Sequence, residues 1–165
     1  MLTQSISPDL FRTALGRWAS GVTVVTTADP AGGHHGFTAS AFSSVSLDPA
    51  LVLVCLDNKA TCREAFDQSS GFVVHLLAHG QQDLAGRFAR KSPDKFTGLG
   101  VSLSPTGLPL LPRALARLEC RTDRRIPAGD HLILIGEVLD ADTGEGAPLV
   151  YYQRDFHQLV GATGS

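Results

Sequence analysis

The chain has 165 residues, 14 Lys and Arg against 16 Asp and Glu, a formal net charge of −2 and 43% hydrophobic side chains. That length and apolar fraction suit one domain with a sizeable core. The near-balanced charge argues against a nucleic-acid partner or an anionic membrane surface. Cys55, Cys62 and Cys120 are odd in number and contain no CxxC pair, which argues against a disulfide framework and against a zinc site.

The opening MLTQSISPDLF lacks the charged start and apolar run of a secretory signal, and no stretch approaches a membrane span in length. The expectation is a soluble, cytoplasmic protein with reduced thiols. It forms a single domain over 1–165, with residues 1–7 and 161–165 flexible. Ser7-Pro8-Asp9 opens a helix: Ser7 caps it, Pro8 fits its first position and Asp9 suits the dipole. Leu10, Phe11, Ala14, Leu15 and Trp18 share one face, and Gly21 is the expected stop. Val22 to Thr27 is β-branched and reads as a strand. Asp29-Pro30-Ala31-Gly32-Gly33 is turn chemistry, followed by a strand through His35 to Ser40.

Leu51 to Leu56 is a short apolar run that predicts a strand buried on both faces. Thr61 to Phe66 predicts a helical turn, Gly71 to Leu77 a strand and Gln81 to Ala89 a short helix. Residues 92–112 hold four prolines and three glycines, an irregular excursion of the kind that is often functional. Clean alternation from 116 to 123 predicts a half-buried antiparallel strand. Pro127-Ala128-Gly129-Asp130 turns the chain into a strand from His131 to Leu139, and 148–152 and 156–159 are short extended pieces. No βαβ rhythm is present, so the pattern favours a mostly β fold, an antiparallel barrel with a few helices.

Four stretches carry chemistry. Residues 36–49 place Thr38, Ser40, Ser43, Ser44 and Ser46 among small apolar neighbours; such a run can offer hydroxyl and backbone donors to a flat heterocycle or a phosphate, or be an ordinary serine-rich strand and turn. Asp57-Asn58-Lys59-Ala60-Thr61 follows a buried strand and suits either a phosphate or a helix cap. Arg87, Arg90, Lys91 and Lys95 stand beside Phe88 and Phe96, a cationic cluster that would attract a phosphate or dinucleotide, or else complement a helix end. Gly129-Asp130-His131 offers a histidine at a barrel mouth, or plain turn chemistry. His75, inside a strand, reads as a satisfied core histidine. GxGxxG, P-loop and GxSxG patterns are absent.

Five segments in order, GVTVVTT at 21–27, GFTASAFSSVSLDPALVLVCL at 36–56, FARKSPDKF at 88–96, PAGDHLILIGEV at 127–138 and PLVYY at 148–152, resemble the flavin reductase family of two-component monooxygenases, with particular likeness to its actinorhodin-pathway type. The resemblance covers about residues 9–160. It implies a six-stranded antiparallel Greek-key FMN-binding split barrel and a homodimer. It also implies hydride transfer from NADH or NADPH to FMN, with FAD as the other candidate, for use by a separate flavin-dependent monooxygenase. By position, Thr38, Ala39, Ser40, Ser44, Val45 and Ser46 would line the ring and ribityl chain. Asn58 and Thr61 would hold the phosphate, and Phe88, Arg90, Lys91 and Ser92 would close over it. His131 would stand near the nicotinamide and Tyr152 near the ring. The chain departs from the family at Trp18-Ala19-Ser20, where many relatives carry Phe-Pro-Thr, and at Pro49-Ala50, where a double proline is usual. The rival readings are another split-barrel flavin oxidase and a flavin-binding redox module without turnover.

Overall fold

A computed structural model describes residues 5–161; most of the termini expected to be flexible, residues 1–4 and 162–165, lie outside the described residues. Helix α1 (Pro8–Leu15) begins as its sequence dictates, with Ser7 Oγ accepting a hydrogen bond from Leu10 N at 3.2 Å and Pro8 in the first turn. It ends earlier than expected. Gly16 is the cap, its N–H donating to Arg12 O at 2.9 Å, and Trp18 lies beyond the helix. None of the α1 residues is buried.

The strands follow in chain order: β1 (Ser20–Gly21), β2 (Thr23–Ala28), β3 (His34–Ala39), β4 (Phe42–Leu47) and β5 (Ala50–Asp57). Next come α2 (Arg63–Gln68), β6 (Gly71–Leu76), α3 (Gln82–Ala89), β7 (Ser102–Leu103) and β8 (Pro109–Leu110). The chain closes with β9 (Ala116–Ala128), β10 (His131–Thr143), β11 (Leu149–Tyr152) and β12 (Asp155–Gln158).

The main sheet is antiparallel in the order β3-β2-β6-β9-β10-β5-β4. Its two edges, β3 and β4, are consecutive in the chain. They are joined through Ser40-Ala41, where Cys55 N donates to Ala41 O at 3.1 Å, and β3 also approaches β5, so the sheet curls toward a barrel. The mostly β expectation holds. The sheet has seven strands rather than six because the serine-rich run breaks at Ser40 and supplies two edge strands. β11 pairs with β1 and β12 in a small second sheet, and β7 and β8 form a short hairpin inside the irregular excursion.

The core follows from the β-branched and aromatic content. β2 is buried on both faces, with Val24 and Val25 fully enclosed, as its sequence predicts. The hydroxyls of Thr23, Thr26 and Thr27 donate to the carbonyls of Ala39, Pro109 and Gly71, each at 2.7 Å, which removes the penalty for burying them. β5 corrects an expectation. Val52, Val54 and Leu56 enter the core, whereas Leu51, Leu53 and Cys55 are only half-buried, because β4 and β10 flank the strand and its other face is only partly covered by the described residues. His75 is fully buried. Its Nδ1 lies 3.0 Å from Val24 O and its Nε2 accepts from Leu111 N at 3.0 Å, which ties the end of the excursion to β6. Burial pushes its pKa down to about 4.

Candidate active site

Three cavities lie in order along the edge strand β3. The first, about 400 Å³, involves His34 and Gly36; the second, about 290 Å³, involves Phe37 and Thr38; the third, about 740 Å³, involves Ser40 and Phe42.

The second cavity gathers residues from four separate parts of the chain: Thr38 on β3, Asp57 at the end of β5 with Lys59, Ala60 and Thr61 after it, Phe88 to Lys91 at the end of α3, and His131 at the start of β10. Antiparallel pairing puts Asp57 opposite His131, so the turn after β5 and the turn before β10 emerge together. Gly129, at φ 62, makes that second turn possible. Asn58 stitches the two turns, its N donating to Asp130 O at 3.0 Å and its Nδ2 to Gly129 O at 3.4 Å. Helix α3 is held down on β3 by Thr38 Oγ1, which donates to Ala85 O at 2.6 Å. The contact is close because β3 carries Gly36: a Cβ there would come within 2.8 Å of the Phe88 ring.

Lys95 joins the first and second cavities. Its side chain is 8% exposed, and its Nζ donates to Gly36 O and Phe88 O, each at 3.0 Å. An ammonium has three donors, so one remains for a ligand, and Lys95 lines both cavities together with Thr61, Cys62 and Lys91. Burial pushes its pKa down and pushes the Cys55 and Cys62 thiols up, so these thiols are poor nucleophiles at neutral pH. His131 holds its Nδ1 2.7 Å from Asp130 Oδ1, and this hydrogen bond keeps the exposed Asp130 carboxyl below its ordinary range.

Of the residues singled out in the sequence, the structure brings Thr38, Thr61, Phe88, Arg90, Lys91 and His131 around the second cavity, and Ser92 onto the first. Phe88 acts from beneath, fully buried. Ser92 Oγ also accepts from Asp94 N at 3.2 Å. Asn58 belongs to the turn rather than the lining. Ala39 points into the core at 6% exposure, leaving its backbone alone to meet a ligand. Ser40 lines the third cavity with Trp18 and Tyr151. Ser44, Val45 and Ser46 lie on the outer edge strand β4, around a bulge between Ser44 and Ser46. Tyr152 is not among the residues that line the third cavity. Alternation along β11 puts Tyr151 on the cavity, while the Tyr152 ring meets His157 at 6.0 Å. Lys95 stands in the sequence only as one of a cationic cluster; its anchoring by the carbonyls of Gly36 and Phe88 is unreadable from a lysine in a loop.

Residues 15–160 match the flavin reductase like domain family. The chain is 45% identical to the actinorhodin polyketide dimerase of Streptomyces coelicolor, over 94% of this chain and 89% of that one. It is 42% identical to the NADH:riboflavin 5′-phosphate oxidoreductase of Streptomyces pristinaespiralis, over 93% and 89%. Further matches include reductase components of flavin-dependent monooxygenases. A solved NADH:FAD oxidoreductase of Streptomyces globisporus, in complex with NAD and FAD fragments, superposes with a TM-score of 0.89 at 32% identity, covering 98% of this chain and 100% of the other. This chain therefore belongs to the flavin reductase like domain family.

Proposed function

We propose that the protein is an NAD(P)H:flavin oxidoreductase that moves a hydride from a reduced nicotinamide to FMN or FAD and supplies the reduced flavin to a separate monooxygenase. The observation that carries this reading is the meeting of six sequence-identified residues, from four chain segments, around one cavity. The site fits a flavin: Lys95 keeps a donor in reserve, Thr61, Arg90 and Lys91 are cationic or hydroxyl partners for a phosphate, and Ser40 and Ala41 are exposed.

A bound flavin supplies the hydride acceptor. The chain itself binds, orients and excludes water, which are the main contributions to such a transfer. Thr61, Arg90, Lys91 and Lys95 hold the phosphate end. Backbone donors in 38–46 face the ring, where charge develops on reduction. His131 has Nδ1 engaged by Asp130; in its neutral form Nε2 is then an acceptor, suited to an amide N–H of the nicotinamide carboxamide. Purified protein should accelerate NADH oxidation in the presence of FMN or FAD far beyond a protein-free control. Tight flavin binding with no acceleration would favour the redox module instead.

The same reading includes a single cytoplasmic domain that pairs as a homodimer. Among the described residues no helix is long and apolar enough to cross a membrane. α1 buries none of its side chains, and Trp18 and Leu47 are 78% and 92% exposed. Such apolar exposure marks an interaction surface. Light scattering should give twice the chain mass, and a monomer at micromolar concentration would remove the homodimer from this reading.

A further inference from the structure

Arg87 stands apart from the cations around it. In sequence it belongs to the same run as Arg90, Lys91 and Lys95, yet it lines neither the first nor the second cavity. It sits in the last turn of α3, and its side chain runs along the irregular excursion instead. One guanidinium nitrogen, Nη2, donates to Asp94 O at 3.1 Å and to Thr97 O at 2.5 Å. The two N–H bonds of that nitrogen diverge in a fixed plane, so the contact sets the spacing of the two carbonyls.

Those carbonyls bracket Lys95. Asp94 and Thr97 are exposed, whereas Lys95 between them is buried and Phe96 half-buried. On the buried side of this turn, Lys95 Nζ holds Gly36 O and Phe88 O, each at 3.0 Å, and the Phe96 ring meets the Phe88 ring at 5.0 Å and 89°. On the exposed side the other ties are neutral and longer: Thr97 N to Asp94 O at 3.3 Å, Leu99 N to Phe96 O at 3.2 Å and Asp94 N to Ser92 Oγ at 3.2 Å. A charge-assisted hydrogen bond is roughly twice as strong as a neutral one, so Arg87 is the main hold on that side.

The spacing of these residues along the chain closes a ring. Arg87 reaches forward to carbonyls 94 and 97, and Lys95 reaches back to the carbonyl of Phe88, the residue next to Arg87. Without Arg87 the two exposed carbonyls can turn to water, and the buried ammonium between them loses its fixed place. A misplaced cation gives up much of its hold on a phosphate, because the free donor no longer points at it.

We infer that Arg87 is a positioning residue: it touches no ligand, and it braces the 94–97 turn so that Lys95 meets the phosphate of a bound flavin. This rests on the flavin reductase reading of the second cavity. The rival account is an attraction through space, in which the Arg87 charge draws the phosphate from outside the cavity.

Wild type, Arg87→Met, Lys95→Met and the double variant are titrated with FMN and with riboflavin, which lacks the phosphate, at low and at high salt. Arg87→Met should bind FMN about 10-fold more weakly, a difference of about 1.4 kcal/mol, with riboflavin affinity kept within about two-fold. In the Lys95→Met background the same change should weaken FMN no further, because no ammonium is left to place. The 10-fold ratio should persist at high salt, where an attraction through space is screened. Trypsin digestion of the ligand-free proteins reads the turn without flavin: cleavage after Lys95 should speed up in Arg87→Met, while the denaturation midpoint reports the rest of the fold. Arg87→Gln, shorter and uncharged, replaces the Met variant if that one does not fold. Equal losses for FMN and riboflavin would make Arg87 merely structural. Additive losses in the double variant would make it an independent contact, and a ratio that vanishes in salt would make it an attracting charge. Each of these overturns the brace and leaves the flavin reading standing. If wild type binds neither flavin, the flavin reading fails and digestion alone decides: faster cleavage after Lys95 supports the brace, and equal cleavage overturns it.

Discussion

The two ends of β3 are built differently. At the His34 end the chain completes its own site. Lys95 is fixed by two carbonyls, Asp29 by three donors and Phe88 by burial. At the Ser40 end the walls are loose. Trp18 is 78% exposed, α1 buries nothing, and the turn between β11 and β12 places Gln153 and Arg154 at φ 50 and 67. A phosphate needs fixed donors before it arrives, because a misplaced charge partner forfeits most of its value. A planar ring needs only surface, and a ligand or a second copy can complete that surface on arrival. On the proposed flavin reductase function, the contrast divides the site into a preorganised phosphate half and a ring half left open.

The sharpest way to break this division is Lys95→Met. It removes two charge-assisted hydrogen bonds from a side chain 8% exposed and deletes the central cation. Flavin affinity should fall about 100-fold and stability by about 2–4 kcal/mol, read by titration and by chemical denaturation. A variant that binds flavin as wild type does would show that the phosphate lies elsewhere.

The frame behind the phosphate half carries its own pH signature. His75 is neutral in the fold down to about pH 4, whereas an unfolded histidine takes its proton near 6.5. Between those values the unfolded chain binds more protons, so this contribution is fully present above pH 6.5 and is lost as pH falls toward 4. By linkage the loss is roughly 3 kcal/mol. Denaturation at neutral pH and near pH 4.5 should show a difference that shrinks in His75→Gln. An equal acid loss in both would mean that other groups govern it.

How much of this was legible depends on where each partner sits. β2 was readable because Val22-Thr23-Val24-Val25-Thr26-Thr27 excludes other structures locally, and His75 because a histidine within an apolar strand has few other fates. The end of α1 was misjudged because Trp18 sits in phase with the helix, although Gly16 had already stopped it. The half-buried face of β5 was invisible, since a run of apolar residues does not say which neighbours cover it. Six of the residues named from the sequence meet around one cavity, and Lys95 could be named among the cations near it, yet its place between two cavities could not, because only the fold brings Gly36 O and Phe88 O to its ammonium. Of the two tyrosines of β11 it is Tyr151, not the named Tyr152, that lines the third cavity, and in a strand one residue reverses the face.

Where the two halves meet, His131 should contribute modestly. Replacing it with Ala leaves Asp130 without its partner at 2.7 Å and the nicotinamide without an acceptor. The KM for NADH should rise about 10-fold, the weight of one such hydrogen bond, with flavin affinity kept. A fall in kcat alone, with KM unchanged, would instead put His131 in contact with the reacting atoms.

The smallest effect should come from the open half. Gln153 and Arg154 sit in a two-residue hairpin turn, where Tyr152 pairs with Asp155 and both central residues have positive φ. Asn-Gly is the preferred pair for such a turn, and long side chains there cost of order 1 kcal/mol each. Both side chains nevertheless line the third cavity beside Trp18 and Tyr151. The double change Gln153→Asn with Arg154→Gly should therefore raise stability by about 1 kcal/mol, seen as a higher denaturation midpoint. If the strained pair serves the ring half, the same variant should lose a few-fold in kcat/KM, about 1 kcal/mol, with its FMN affinity little changed because the phosphate half is untouched. A variant both more stable and equally active would show that the ring half gains nothing from the strain.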